Sequence, residues 1–230
     1  VLLDDDFTRI VEAIAQGRMI YDNLSKAIRF AFAVHVPIIA LALLPALLGW
    51  PPLLLPAQIV MLELLIDPAC AVVFEAEPAE ADLMQRPPRQ RAESPFNSQV
   101  LWQALSQGGG VGATLLLAVA WMLSLSWDAA EIRTVIFLSL TGSILLLIQA
   151  NRGFPNKPGP RNPWVRPTLI AVPVGLAILM QFDQLLNLMG MAPATISTLA
   201  VLALITVAGA GWLFLLGKVA VLLNSARALR

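Results

Sequence analysis

The chain has 230 residues, 58% of them apolar and 13% charged, and a mean hydropathy of +0.75. Soluble domains run about 45–50% apolar and about 25% charged, so an ordinary soluble domain and a disordered tail are both excluded. Lys+Arg and Asp+Glu balance at 15 each, which leaves no field to draw in a nucleic acid, and a single cysteine, Cys70, excludes an intrachain disulfide.

Val1-Leu2-Leu3 followed by Asp4-Asp5-Asp6 reads as the end of a buried strand and the start of a helix, because acidic side chains favour a helix N-terminus. With no initiator Met and no signal-peptide pattern, the expectation is a piece of a longer chain. Phe7, Ile10, Val11 and Ile14 recur at spacings of three and four, which predicts an amphipathic helix reaching Arg29. Apolar stretches follow at about 30–48, 53–74, 100–125, 132–148, 168–186 and 194–216. Each is near the length of about 20 residues that spans a bilayer. The predicted fold is therefore all-α: a polytopic bundle of six transmembrane helices preceded by a stalk helix. Residues 1–29 form the first unit, 30–216 the membrane domain with inner loops at about 75–99 and 150–167, and 217–230 a tail.

The basic residues orient the spans. Arg9, Arg18, Lys26 and Arg29 precede the first; Arg86, Arg89 and Arg91 fall between the second and third; Arg152, Lys157, Arg161 and Arg166 lie between the fourth and fifth; Lys218, Arg227 and Arg230 follow the last. Only Arg133 sits at an alternate connection, so 14 of 15 basic residues share one side. The positive-inside rule makes that side, and both termini, cytoplasmic. The connectors 75–97 and 151–167 mix charges with prolines, which predicts structured but non-helical loops, either solvated or docking another domain.

Glu63 and Asp67 stand inside the second span, four residues apart and so on one helix face. Two acids at membrane depth cost about 5–7 kcal/mol, which the surrounding Leu, Ile, Val and Phe residues roughly offset. Intramembrane acids are functional candidates for that reason. Pro68 supplies no N–H, crowds the carbonyl of Leu64 and disfavours helical geometry at Asp67. A freed carbonyl beside carboxylates is a set of oxygens suited to a hard cation or a proton relay. The first span adds His35, and Pro37 frees the carbonyl of Ala33 in the same way. The candidate ligands are thus Glu63, Asp67 and His35, with the carbonyls of Leu64 and Ala33. Cys70, lacking a second thiolate, is a poor ligand candidate, and Asp183 is the only acid in the late spans. Gly108-Gly109-Gly110 and Gly112 suit close helix packing. No phosphate-binding Gly-Lys loop, Ser/His/Asp set or zinc spacing is present, so no catalytic residue is assigned.

Leu2-Leu3-Asp4-Asp5-Asp6-Phe7-Thr8-Arg9-Ile10-Val11, with Gly17-Arg18, Tyr21, Asn23, Lys26 and Ile28-Arg29, resembles the last strand and stalk helix of cation-transporting P-type ATPases of the calcium-pump-like branch. Pro56-Ala57-Gln58-Ile59, Glu63, Asp67 and Asp82-Leu83-Met84-Gln85-Arg86-Pro87-Pro88-Arg89 resemble that family's sixth membrane helix and its following loop, and 134–152 resembles its eighth helix. The resemblance implies membrane helices five to ten of such a pump. It implies ATP hydrolysis with Mg2+ on domains that this chain lacks, and a transported cation such as calcium, magnesium or manganese. Asp67 matches the family's sixth-helix aspartate; Glu63 stands where calcium pumps carry Asn, His35 where they carry a fifth-helix Asn, and Ile38 where they carry Glu. The expected partners are the bilayer, the cation and the missing N-terminal pump domains, with no nucleic acid. The expected location is a plasma membrane, and an Arg-, Ala- and Leu-rich composition points to a bacterial inner membrane. The alternatives are a self-contained six-span secondary transporter, which could be proton-coupled, and a non-catalytic membrane subunit or remnant.

Overall fold

The computed structural model describes residues 7–88, 94, 96–152 and 162–228. The acidic Asp4-Asp5-Asp6 run, Arg89, Arg91, Lys157 and Arg161 lie outside the described residues, as do the side chains of Phe7, Asp67, Ala69, Cys70 and 220–228. Seven helices follow in order: α1 (Phe7–Leu48), α2 (Pro56–Glu75), α3 (Ser98–Ser124), α4 (Ala129–Arg152), α5 (Val165–Leu179), α6 (Asp183–Leu188) and α7 (Ile196–Ala228). Among the described residues there is no strand.

The predicted stalk and first span are one continuous helix. At 1.5 Å per residue the 42 residues of α1 extend about 63 Å, twice a hydrocarbon core of about 30 Å. Its first half therefore stands outside the apolar layer. Ile10, Val11, Ile14, Ile20 and Leu24 are exposed there, so the apolar face of the stalk is unpartnered among the described residues.

Three helix ends away from the basic end close by one device. After α1, Gly49 takes φ +67° and the N–H of Trp50 reaches back to the Pro45 carbonyl at 2.9 Å. After α3, Ser126 takes φ 58° and Trp127 donates to Met122 at 3.2 Å; after α6, Gly190 takes φ +59° and Met191 donates to Leu186 at 2.9 Å. The left-handed residue lets the next N–H satisfy a carbonyl that the helix end would orphan. Arg133 ties two of these turns together, donating to the Gly190 carbonyl at 2.6 Å and the Pro52 carbonyl at 3.3 Å. The lone basic residue on its side thus has a structural job.

α4 is the central helix, packed against α1, α2, α3 and α7. Its buried face includes Ile132, Ile136, Leu140, Ile144 and Leu147, together with Thr134, Ser139, Thr141 and Ser143. Thr141 and Ser143 satisfy their hydroxyls on the carbonyls of Phe137 and Ser139 one turn back. α3 lies along α1, and Gly108 makes the close approach: a Cβ there would collide with the Ala33 carbonyl. On its other side a Cβ at Gly110 would enter the indole of Trp212, whose Nε1 donates to the Ser106 carbonyl at 3.0 Å. The small-residue reading holds in space at Gly108, Gly110 and Gly112, while Gly109 faces open space.

Two expectations are corrected. The fifth span, expected to be continuous over 168–186, is split: α5 has only 15 residues and the chain breaks at Phe182 (φ −104°, ψ 101°) before α6. Asp183 explains the break, because a carboxylate is better placed in the first turn of a new helix than inside an apolar one. Five helices are therefore long and apolar enough to cross a membrane, with α5 a shorter apolar helix of about 22 Å. Second, Pro68 does not break the second span. α2 runs unbroken from Pro56 to Glu75 and the backbone at Asp67 is helical. Packing of Leu62, Ile66, Val73 and Phe74 into the core holds the helix together through the proline, which membrane helices tolerate.

Candidate functional site

α1 and α2 bring His35 and Glu63 together. His35 Nε2 lies 3.6 Å from Glu63 Oε1, and the two side chains remain 46% and 38% exposed, so the pair is reachable rather than sealed. His35 Nδ1 lies 2.7 Å from the carbonyl of Ala31, one turn earlier on α1. A carbonyl only accepts, so Nδ1 carries the hydrogen and Nε2, in the neutral ring, presents a lone pair to the carboxylate. Two acceptors facing each other at 3.6 Å are suited to sharing a proton or a metal ion. Two donors 3.6 Å apart, each about 2.4 Å from one ion, subtend about 97° at it, an ordinary angle for a hard cation.

The other candidates are placed as follows. Asp67 comes one helical turn after Glu63 on α2, with its side chain outside the described residues. Leu64 faces outward at 68% exposure. The Ala33 carbonyl, which Pro37 deprives of its helical donor, lies against Gly108 of α3 and so belongs to the α1–α3 seam. Asp183 lies in the first turn of α6, at the chain break. Among the described residues no group of three or more His, Cys, Asp and Glu side chains could hold a metal ion, so His35 and Glu63 form at most part of a coordination shell.

Sequence reasoning passed over a second polar assembly, at the basic end. There the segment after α2 folds back on the stalk. Arg86 donates to Asp22 at 2.9 Å, to Asp82 at 2.7 Å and to Glu80, while Lys26 meets Glu80 at 3.0 Å. Arg18 donates to the carbonyls of Leu83 and Arg86, and Asn23 to the carbonyl of Glu77. The Glu77 carboxylate accepts from Arg152 Nε at 2.9 Å and from Asn162 Nδ2 at 2.8 Å, so the ends of α2 and α4 and the segment before α5 meet there too. The sequence marked these residues by the charge density of the loops and by the family resemblance, but not by their pairing. Pairing between residues about 65 positions apart is invisible to local periodicity.

Charge sets the titration of this clasp. Burial pushes Glu80 up, but the bonds and charges of Lys26 and Arg86 outweigh it, and its carboxyl titrates below the ordinary value. The hydrogen bond to Asp82 leads in holding Arg86 above its ordinary value. A lowered carboxyl pKa stabilises the fold above the unfolded glutamate range, and that stabilisation is lost as pH falls through the folded value. Amide exchange in 76–88 is expected to be slow at neutral pH and to accelerate on acidification through the carboxylate range; equal protection at both ends would show that the ion pairs carry no load. Arg86→Ala leaves Asp22, Glu80 and Asp82 facing one another. With Arg86 itself 37% exposed, a loss of about 1–2 kcal/mol is expected in thermal unfolding.

Long apolar helices around one central helix, with an ionisable pair set between the first two spans, define a multi-pass helical membrane protein. The family model described as the C-terminus of cation-transporting ATPases matches residues 51–219, from the turn before α2 into α7. The chain belongs to that family, and it is the C-terminal membrane region of a cation-transporting P-type ATPase.

Proposed function

We propose that this chain supplies part of the intramembrane cation site of an ATP-driven pump of the calcium-pump-like branch. Glu63 and Asp67 act as anionic oxygen ligands and His35 as a neutral nitrogen ligand. The observation that carries the reading is His35 Nε2 facing Glu63 Oε1 at 3.6 Å between two apolar helices. Neither group is paid for by a buried structural network, and ionisable side chains at membrane depth without such a role are rare. The carbonyl of Leu64, next to Glu63, is a further candidate oxygen. Earlier membrane helices of the intact pump close the half-open face and complete the shell.

ATP and Mg2+ belong to the pump's other domains in this reading, and this chain contributes the exit of their work. The apolar face of the stalk, Ile10, Val11 and Ile14, receives the phosphorylation domain. A shift of α1 then moves His35 relative to Glu63 and, through the Arg86 clasp, moves the end of α2 with it. That changes the access of the carboxylates to the two sides, which is how a site at fixed depth alternates. In this reading the basic end and both termini are cytoplasmic, as the positive-inside rule supports, and the membrane is the plasma membrane of a bacterial cell.

The test is uptake of radioactive calcium or manganese by inside-out vesicles containing the intact ATPase. ATP-dependent accumulation is expected, with His35→Gln raising the cation concentration for half-maximal uptake about tenfold, since one neutral ligand is weakened. Uptake of calcium, manganese and magnesium that is indifferent to ATP would rule the reading out.

A further inference from the structure

Between the stalk half of α1 and the first turns of α3 lies a polar cavity of about 490 Å3, lined by Tyr21, Ser25, Arg29, Arg86, Asn97 and Gln103. We infer that this cavity binds a phosphate group at the membrane surface, through the guanidinium of Arg29 and the N-terminus of α3.

Arg29 is the charge that the clasp leaves over. Among the described residues the acids around it are engaged elsewhere: Asp22, which also lines the cavity, is held by Arg86, and Glu80 is held by Lys26 and Arg86. Arg29 itself makes no hydrogen bond or ion pair among the described residues, and its Nε is buried without a partner. Desolvation lowers its pKa, with the charge of Glu80 pulling the other way, yet a guanidinium stays protonated at neutral pH. A half-buried, unpaired cation is costly, and an anion in the cavity removes that cost.

Three further features fix the kind of anion. Asn97 caps α3 through Val100 N–H at 2.8 Å, which leaves first-turn N–H groups of Ser98 and Gln99 at the positive end of a 27-residue helix. Ser25 and Gln103 bring a hydroxyl and an amide suited to several oxygens at once. In the same stretch of chain Phe96, just before the Asn97 cap, and Trp102, in the second turn of α3, are 58% and 72% exposed, and Phe96 meets Phe32 edge-on at 6.4 Å. An exposed Trp such as Trp102 marks the level where lipid headgroups lie. The phosphate therefore comes either from the headgroup of an acidic phospholipid or from free phosphate, and the proposal needs nothing of the Glu63–Asp67 segment.

The intact ATPase, delipidated in detergent, is titrated with phosphatidylglycerol, phosphatidylcholine or inorganic phosphate. Bound lipid is counted by native mass spectrometry and phosphate is followed by thermal shift. Arg29→Gln removes the charge. Gln99→Glu adds a repelling charge where a helix favours acids, so α3 should keep its fold. We expect one phosphatidylglycerol per chain, bound at least about tenfold more weakly by either variant, with phosphatidylcholine unaffected. Inorganic phosphate protecting as well as phosphatidylglycerol, with the same dependence on Arg29, would support the site and make soluble phosphate the source. Unchanged binding of both phosphatidylglycerol and phosphate in both variants would overturn it.

Discussion

Glu63→Gln in the intact ATPase is expected to abolish cation-stimulated ATP hydrolysis. Glutamine keeps the volume and one oxygen of the side chain but loses the charge that makes the site attractive to a dehydrated cation. Losing a group that merely orients a metal ligand costs about 10–100-fold in affinity, so losing an anionic ligand belongs at or beyond the upper end of that range. The expected result is a cation-activation curve displaced by at least about a hundredfold, which at practical concentrations reads as no stimulation. Misfolding is a poor explanation for such a loss, because the substitution removes a charge from an apolar helix and eases its insertion. A melting temperature at or above that of the parent should accompany the inactive variant. A superimposable activation curve would remove Glu63 from the site.

Gly108→Ala is expected to destabilise the bundle by about 2–3 kcal/mol, a large effect for one methyl group. The added Cβ would collide with the Ala33 carbonyl, and would lie 2.9 Å from Val36 Cβ and 3.0 Å from the Ala33 carbonyl carbon. Two of those three neighbours are backbone atoms, which no rotamer change can move, so α1 and α3 would have to separate. A displacement of α1 also reaches the candidate site, since α1 carries His35. Gly109→Ala is the control: nothing lies within 4 Å of its Cβ, and the gain in helix propensity is up to about 1 kcal/mol. Thermal unfolding in detergent should therefore fall for the first variant and hold or rise for the second. Equal melting temperatures would mean that the α1–α3 seam is looser than drawn.

Much of this bundle was readable from the sequence, for physical reasons that differ from element to element. The run of apolar residues from Phe30 to Leu48 and those at 100–125 and 132–148 could be found because the bilayer sets a length and excludes charge. α5 was misjudged because hydropathy averages over Gln181 and Asp183, whereas a helix responds to each of them locally. Pro68 was misjudged in the opposite sense: its local effect is real, but the buried neighbours Leu62, Ile66 and Val73 outweigh it.

The candidate site was legible in part. Glu63 and His35 stood out as ionisable groups in apolar surroundings, and the fold brings them within reach of each other although they lie on different helices. Nothing local in the sequence says that Arg86 reaches Asp22 or that Glu77 gathers Arg152 and Asn162. Those residues read as ordinary loop charges until tertiary packing selects their partners. Arg29 reads in the sequence as a marker of orientation and part of the stalk resemblance, and its want of a partner among the described residues shows only once Asp22 and Glu80 are assigned to Lys26 and Arg86.

The most direct measurement of the central claim is cation occlusion. The intact ATPase is equilibrated with a radioactive divalent cation, trapped with a non-hydrolysable nucleotide and freed of external ion by rapid filtration. The parent protein is expected to retain the cation, and Glu63→Gln to retain none above background. Retention of the same amount by Glu63→Gln would contradict the assignment of this carboxylate as a ligand of the transported ion.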